Sequence, residues 1–220
     1  MPHSSSRLAT ALLVVAVLAA CSGGVPDLLG RRIPEVALDA YQRAAAAAPD
    51  ITDGCRVDWQ VLAGLGRVES NHGRSDGPRT IAANGDVRPP VRGLALDGSS
   101  GRQRILDTDG GAGDGDAEWD RAMGPLQFLP TTWAELGRDG NGDGVADPDN
   151  IYDAALTAAA HLCLREPGDY ADRAALRRAL VAYNASGAYA DEVLDWVARY
   201  RDTPIDELVI SSASAAPGGS

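Results

Sequence analysis

Val61, Leu62, Leu65 and Val68 recur three and four residues apart, the spacing of a helix that turns one side to a core. Asp58 is placed to cap it. The same periodicity predicts a helix opened by Pro34-Glu35, running to about Ala48 and stopped by Pro49. It predicts a short helix from Pro130 through Leu136, with Thr132-Trp-Ala-Glu135 as a capping box, and helices at about 154–165, 172–182 and 188–201. Two-residue alternation is scarce. Between Gly73 and Asp120 the chain is rich in Gly, Asp, Pro and Arg, leaving room for one short hairpin, Val91–Leu96 with Gln103–Leu106. So long a loop points to function or disorder. No internal repeat appears, and the fold class is mainly α with a minor β hairpin.

Glu69 changes this picture. It lies four residues after Leu65 and seven after Leu62, on the boundary of the apolar side. A carboxyl that loses water there favours its protonated form and can act as a general acid near neutral pH. The alternative is a helix-end Glu that is solvated or paired with Arg67 or Arg74.

The chain ends read differently from the middle. Residues 1–20 carry Arg7 and an apolar run from Leu8 to Leu18, too short to span a bilayer and of the form of an export signal. The run closes in Leu18-Ala19-Ala20-Cys21, which resembles the lipobox of bacterial lipoproteins; the resemblance implies lipidation of Cys21, export, and an anchor on the cell membrane facing the cell wall or periplasmic space. An ordinary cleavable signal is the alternative. Residues 21–33 read as a tether, 34–202 as one domain, and 203–220, rich in Ser, Ala, Pro and Gly, as a flexible tail. Cys55 and Cys163 remain as a pair in an oxidising compartment, where a disulfide is expected over two free thiols.

The net charge is −11 and every basic residue is Arg. An acidic domain argues against nucleic acid as a partner. The acid gathers in loops, between Asp97 and Asp120 and between Asp139 and Asp153, which suggests a hard cation.

Three segments form one constellation: Glu69-Ser70-Asn71-His72-Gly73, then Arg121-Ala-Met-Gly-Pro-Leu-Gln-Phe-Leu-Pro-Thr-Thr-Trp133, then Ala182-Tyr183-Asn184. Their residues and order resemble the lytic transglycosylases of the lysozyme superfamily, in particular the membrane-bound murein type with an internal calcium loop, over about residues 55 to 200. The resemblance implies a lysozyme-like SLT domain, with Glu69 as the single catalytic acid and base and with Ser70, Gln127, Tyr183 and Asn184 binding substrate. The chemistry agrees. Glycosidic cleavage needs a proton on the leaving oxygen, amides can hold N-acetyl groups and hydroxyls, and a Tyr can stack on a sugar while its hydroxyl stays wet. In this family one carboxyl suffices. It protonates the bridging oxygen, then as a base takes the proton of the sugar's own C6 hydroxyl, which closes a 1,6-anhydro ring on N-acetylmuramic acid. Gln127 as a turn cap, Tyr183 as core and Asn184 as a helix C-cap are the plainer alternatives. Phe128 and Trp133 read as core, His72 and His161 as structural, and Asp107, Asp109, Asp114, Asp116 and Asp120 as a solvated acidic loop. The expected substrate is the peptidoglycan strand and the expected state a monomer. A hydrolytic muramidase on the same fold and a non-catalytic, calcium-stabilised wall-binding lipoprotein are the competing readings.

The segment Asp139 to Asp153 has the form of an EF-hand loop, with Asp139, Asn141, Asp143 and Asp147 at positions 1, 3, 5 and 9, Gly144 at the turn and the Val145 carbonyl at position 7. Position 12 is Asn150 instead of Glu. A loop lengthened to 15 residues, as the resemblance implies, brings Asp153 to that place, where its other role is to cap the next helix. The expected cofactor is structural Ca2+; no organic cofactor is implied.

Overall fold

A computed structural model of the chain describes residues 32–75 and 77–210. The signal at 1–20, Cys21, most of the tether and the last ten residues of the tail lie outside the described residues.

The order is β1 (Ile33–Pro34), α1 (Glu35–Ile51), α2 (Trp59–Ser70), β2 (Thr80–Ile81), β3 (Val87–Arg88), α3 (Pro130–Leu136), α4 (Ile151–Arg165), α5 (Arg173–Tyr183), α6 (Gly187–Arg201), α7 (Ile205–Leu208) and β4 (Val209–Ile210). The fold is mainly helical, as the periodicity predicts. The small β content is placed differently from the sequence expectation: β2 and β3 pair antiparallel upstream of it, while in the expected region single bridges join Arg92 to Met123, Asp97 to Arg104 and Leu106 to Trp119.

Two helices form the interior. Helix α2 is more than amphipathic, since every residue from Val61 to Gly66 is buried. Its two glycines explain how. A Cβ at Gly64 would stand 2.9 Å from Val197 Cγ2 of α6, and one at Gly66 would stand 2.0 Å from the Tyr41 hydroxyl of α1. The missing side chains let α1 and α6 close on α2. Helix α4 does the same with alanine, burying Ala154, Ala155, Ala158, Ala159 and Ala160 and packing along α1, which buries Ala37, Ala40, Ala44 and Ala48.

Several ends differ from the sequence expectation. Helix α1 passes through Pro49 to Ile51; a proline in the last turn removes one donor there without stopping the chain from winding. Helix α3 has Leu129 at its N-cap and no side-chain cap. Pro130 takes the first helical position, so Thr132 stands too far in to open a capping box. Residues 203–210, expected to begin the tail, form α7 and β4; Leu208 is fully buried and β4 pairs parallel with β1. Leu208 and the half-buried Val209 supply the apolar surface for that dock, while Ile205 stays exposed. Ile33, expected in the tether, is likewise fully buried. Cys55 and Cys163 are joined, closing a sequence separation of 108 residues. On the chain-entropy view this constrains the unfolded state by about 4–5 kcal/mol. Among the described residues no helix is long and apolar enough to cross a membrane.

Candidate active site

Helix α2 ends in a left-handed turn. Asn71, His72 and Gly73 all have positive φ, 51°, 60° and 77°, and the His72 N–H returns to the Gly66 carbonyl at 2.7 Å. Two non-glycine residues in this region are strained and are held. Asn71 Oδ1 accepts from Arg67 at 2.8 Å and from Arg74 at 3.2 Å. The buried His72 ring is bracketed by the hydroxyls of Tyr41 at 3.1 Å and Tyr200 at 3.0 Å. Burial, then the nearby Arg74 and Arg67, keep it well below the usual histidine range, so it stays neutral. His72 is structural, as expected.

That turn presents Glu69. Neither Arg67 nor Arg74 pairs with it: Arg67 also stacks over Trp196, 4.6 Å from its ring centre, and Arg74 donates to the Asn71 and Arg32 carbonyls. The partner of Glu69 is Tyr189 in the first turn of α6, whose hydroxyl donates to Oε1 at 2.5 Å. Burial pushes the Glu69 carboxyl up to about 7; the Tyr189 hydrogen bond pulls the other way and loses. Tyr189 had no signal in the sequence. It lies 120 residues from Glu69, and nothing in its own segment marks it out.

Glu69 lines a cleft of about 400 Å³ together with Gln127, Tyr183 and Asn184, so three of the four expected substrate residues meet it there. Leu129, Ala122 and Ala185 add apolar wall, and Leu96, Arg102 and Gln103 add a side the sequence did not reveal. Ser70 is the exception. It is buried and both its bonds face protein: its hydroxyl donates to the Pro125 carbonyl at 2.6 Å and accepts the Gly73 N–H at 2.7 Å. The expectation that it binds substrate is corrected to one of holding the neighbouring loop.

That loop, 123–128, is closed by reciprocal backbone bonds between Met123 and Phe128 at 2.8 and 3.0 Å. Three of its consecutive carbonyls are tied down, one from within the loop and two from helices. Gly124 O accepts Gln127 Nε2 at 2.8 Å, Pro125 O accepts Ser70 of α2, and Leu126 O accepts the Tyr183 hydroxyl of α5 at 3.0 Å. The helices that supply Glu69 and Tyr183 thus also fix the loop that supplies Gln127, itself left-handed at φ 53°. The Tyr183 hydroxyl is therefore committed to protein instead of water. Its ring stands edge-on to His161 at 4.7 Å and tilted against Phe128 at 5.8 Å; Phe128 is core, as expected, and Trp133 packs half-buried against it. Burial pushes His161 down to about 4, in keeping with a structural role. Asn184 is the exposed C-cap of α5.

The acidic loop before this segment folds on itself. Asp107, Asp109, Asp114 and Asp116 accept backbone N–H groups within it, and the buried Asp120 accepts both the N–H and the hydroxyl of Thr108. None of them lines the cleft.

In the loop 139–153, Asp139 accepts the N–H groups of Gly142 at 2.6 Å and Gly144 at 2.8 Å. Asn141 and Asp143 accept those of Asp143 and Val145, and Asp147 that of Asp149. Asp153 is fully buried and accepts from Gly140, Asn141 and Asp147. It does not cap α4; Asn150 does, accepting the Tyr152 N–H at 2.9 Å. Burial holds the Asp153 carboxyl above the usual range, and Asp139 adds to it. Among the described residues no cation pairs with Asp139, Asp143 or Asp153, and no three His, Cys, Asp or Glu side chains gather as a metal-holding group. The oxygen donors suit a hard cation; the acids are turned onto the loop's own N–H groups.

No curated protein matches this sequence. Three solved structures are similar at 16% identity: the Escherichia coli lytic transglycosylase Slt35 in complex with bulgecin A and in complex with calcium, each with a TM-score of 0.48 over 81% of this chain and 76% of that one, and SltB3 from Pseudomonas aeruginosa in complex with NAG-anhNAM-pentapeptide, with a TM-score of 0.45 over 80% and 66%. The family model of the transglycosylase SLT domain matches residues 111–167, a stretch that holds Gln127, the loop 139–153 and Cys163 but not Glu69 or Tyr183. Over that segment the chain is similar to the transglycosylase SLT domain, the type that its three motifs resemble.

Proposed function

We propose that this chain cleaves the β-1,4 bond between N-acetylmuramic acid and N-acetylglucosamine in peptidoglycan and leaves 1,6-anhydro ends. The observation that carries the reading is the cleft itself: Glu69 is the only carboxylate among its described lining residues, and burial holds it near neutrality. A two-carboxylate glycosidase needs a partner acid across the scissile bond, and the cleft supplies none. In this reading one group acts twice. The protonated Glu69 gives its proton to the bridging oxygen as the C1–O bond breaks. The carboxylate so formed, steadied by the Tyr189 hydroxyl, takes the proton of the C6 hydroxyl as O6 bonds to C1. Glu69 ends protonated and no water is consumed. Gln127 and Asn184 offer amide groups to the N-acetyl and hydroxyl groups of the strand. Replacing Glu69 by Gln removes the transferable proton with little change of shape. Glu69→Gln should release no soluble fragments from purified murein, a loss of at least about a thousandfold, and still sediment with it; turnover within tenfold of wild type contradicts the assignment.

Calcium in the loop 139–153 is part of the same proposal. Asp139, Asn141, Asp143, Asp147, Asp153 and the Val145 carbonyl would hold it, and it would supply positive charge against the buried Asp153. Lipidation at Cys21, with export and anchoring on the cell membrane, completes the reading; Cys21→Ala should move the protein from the membrane to the soluble fraction.

A further inference from the structure

The wall of the cleft that the motifs did not reveal is made by the turn 95–103. Arg102 is fixed in that turn: Nε donates to the Ala95 carbonyl at 3.0 Å, and Nη2 donates to Asp97 at 3.2 Å and to the Ser99 hydroxyl. Nη1 has no protein partner among the described residues. Arg102 is also the only basic residue among the described residues lining the cleft. A guanidinium whose Nε and Nη2 are already held, with Nη1 left to donate, loses little freedom on binding a carboxylate. The setting makes its charge specific. The protein is strongly acidic, so this cation is no part of a general basic surface.

The two sugars of the proposed substrate differ in the chemistry that such a group reads. N-acetylglucosamine is neutral. Muramic acid carries a lactyl ether, which ends in a carboxylate on a naked strand and in an amide-linked peptide, with carboxylates of its own, on a stem-bearing strand. We propose that Arg102 is the specificity residue of the cleft: it binds a carboxylate borne on the muramic residue and so selects anionic glycan strands over neutral N-acetylglucosamine polymers. This rests on the function proposed above.

The test is binding in the Glu69→Gln background, with and without Arg102→Gln, to three probes: stem-bearing murein strands, strands stripped of stems by an amidase, and chitohexaose. Removing one charge-assisted hydrogen bond should weaken binding about tenfold or more to at least one anionic strand and flatten its salt dependence, and Arg102→Lys should restore part of it. Chitohexaose binding should hold within twofold, which also reports an intact cleft. Loss confined to stripped strands assigns the lactyl carboxylate, loss confined to stem-bearing strands assigns the peptide, and loss on both shows that either is accepted. Unchanged affinity for both strands, or an equal loss on chitohexaose, overturns the proposal. If the parent binds no strand and wild type cuts none, the functional reading itself falls, and this proposal with it.

Discussion

Glu69 and Tyr189 set the acidity of the cleft between them. Burial raises the carboxyl to about 7 from its ordinary value of 4.5, and the Tyr189 hydroxyl opposes it. Removing that donor in Tyr189→Phe leaves burial unopposed, so the falling limb of kcat/KM above neutrality should move up by about one pH unit, with kcat lower by about tenfold for want of support to the carboxylate. A pH–rate profile reads this directly, and a limb that stays or moves down contradicts it. The same shift bears on stability. A carboxyl whose pKa is raised on folding costs nothing below its unfolded value near 4.5 and progressively more as pH rises through about 7. Glu69→Gln, already expected to be inactive, should therefore be more heat-stable than wild type at pH 8 and not at pH 4. Sequence spacing sufficed to place Glu69 on a half-buried helix edge. It could not show Tyr189, because that contact exists only after α6 packs on α2.

At the scale of elements, the loop 123–128 decides whether the cleft forms. Its Pro125 and Leu126 carbonyls are held by Ser70 and Tyr183, and Gly124 is pressed against the backbone of the loop 139–153. Gly124 has φ +71°, and a Cβ there would fall 1.7 Å from the Pro148 carbonyl oxygen. Gly124→Ala should destabilise the fold by about 2 kcal/mol or more, seen as a drop of roughly 4–8 °C in Tm for a domain of this size; an unchanged Tm would mean the two loops do not meet this way. The contact also joins the acidic loop to the cleft. Arg92 strengthens that join, bonding Asp149 at 2.5 and 2.9 Å and the Gly113 carbonyl at 2.9 Å. If the loop 139–153 takes calcium, a hundredfold excess over Kd adds about 2–3 kcal/mol, so chelation should lower Tm by several degrees. Equal Tm in calcium and in chelator would remove the metal from the proposal. The spacing of Asp139 to Asp153 made this loop legible, whereas Ser70 was read as a site residue only through the family resemblance. Its actual bond to Pro125, 55 residues away, was beyond reach of any local pattern.

On the scale of the whole molecule, the helical order was legible because apolar spacing and Pro, Gly and Asp punctuation act locally. What was not legible depends on chain closure. The dock of β4 beside β1 needs residues 33 and 209 together, and the Arg102 wall needs the turn 95–103 folded over the cleft. The cystine fastens Cys55, ahead of the Glu69 helix, to α4, so the helices that carry the site are bound to the helix that follows the acidic loop. Among the described residues the cleft at Glu69 is lined by one carboxyl, and the chemistry proposed for it rests on that number. The mass of the fragments released from purified peptidoglycan tests this most directly. A single carboxyl acting as acid and then base gives anhydro ends, lighter by one water, about 18 Da, than hydrolysed reducing ends, and gives no 18O incorporation from labelled water. Reducing-end products that carry the label would contradict it and make the protein a hydrolase.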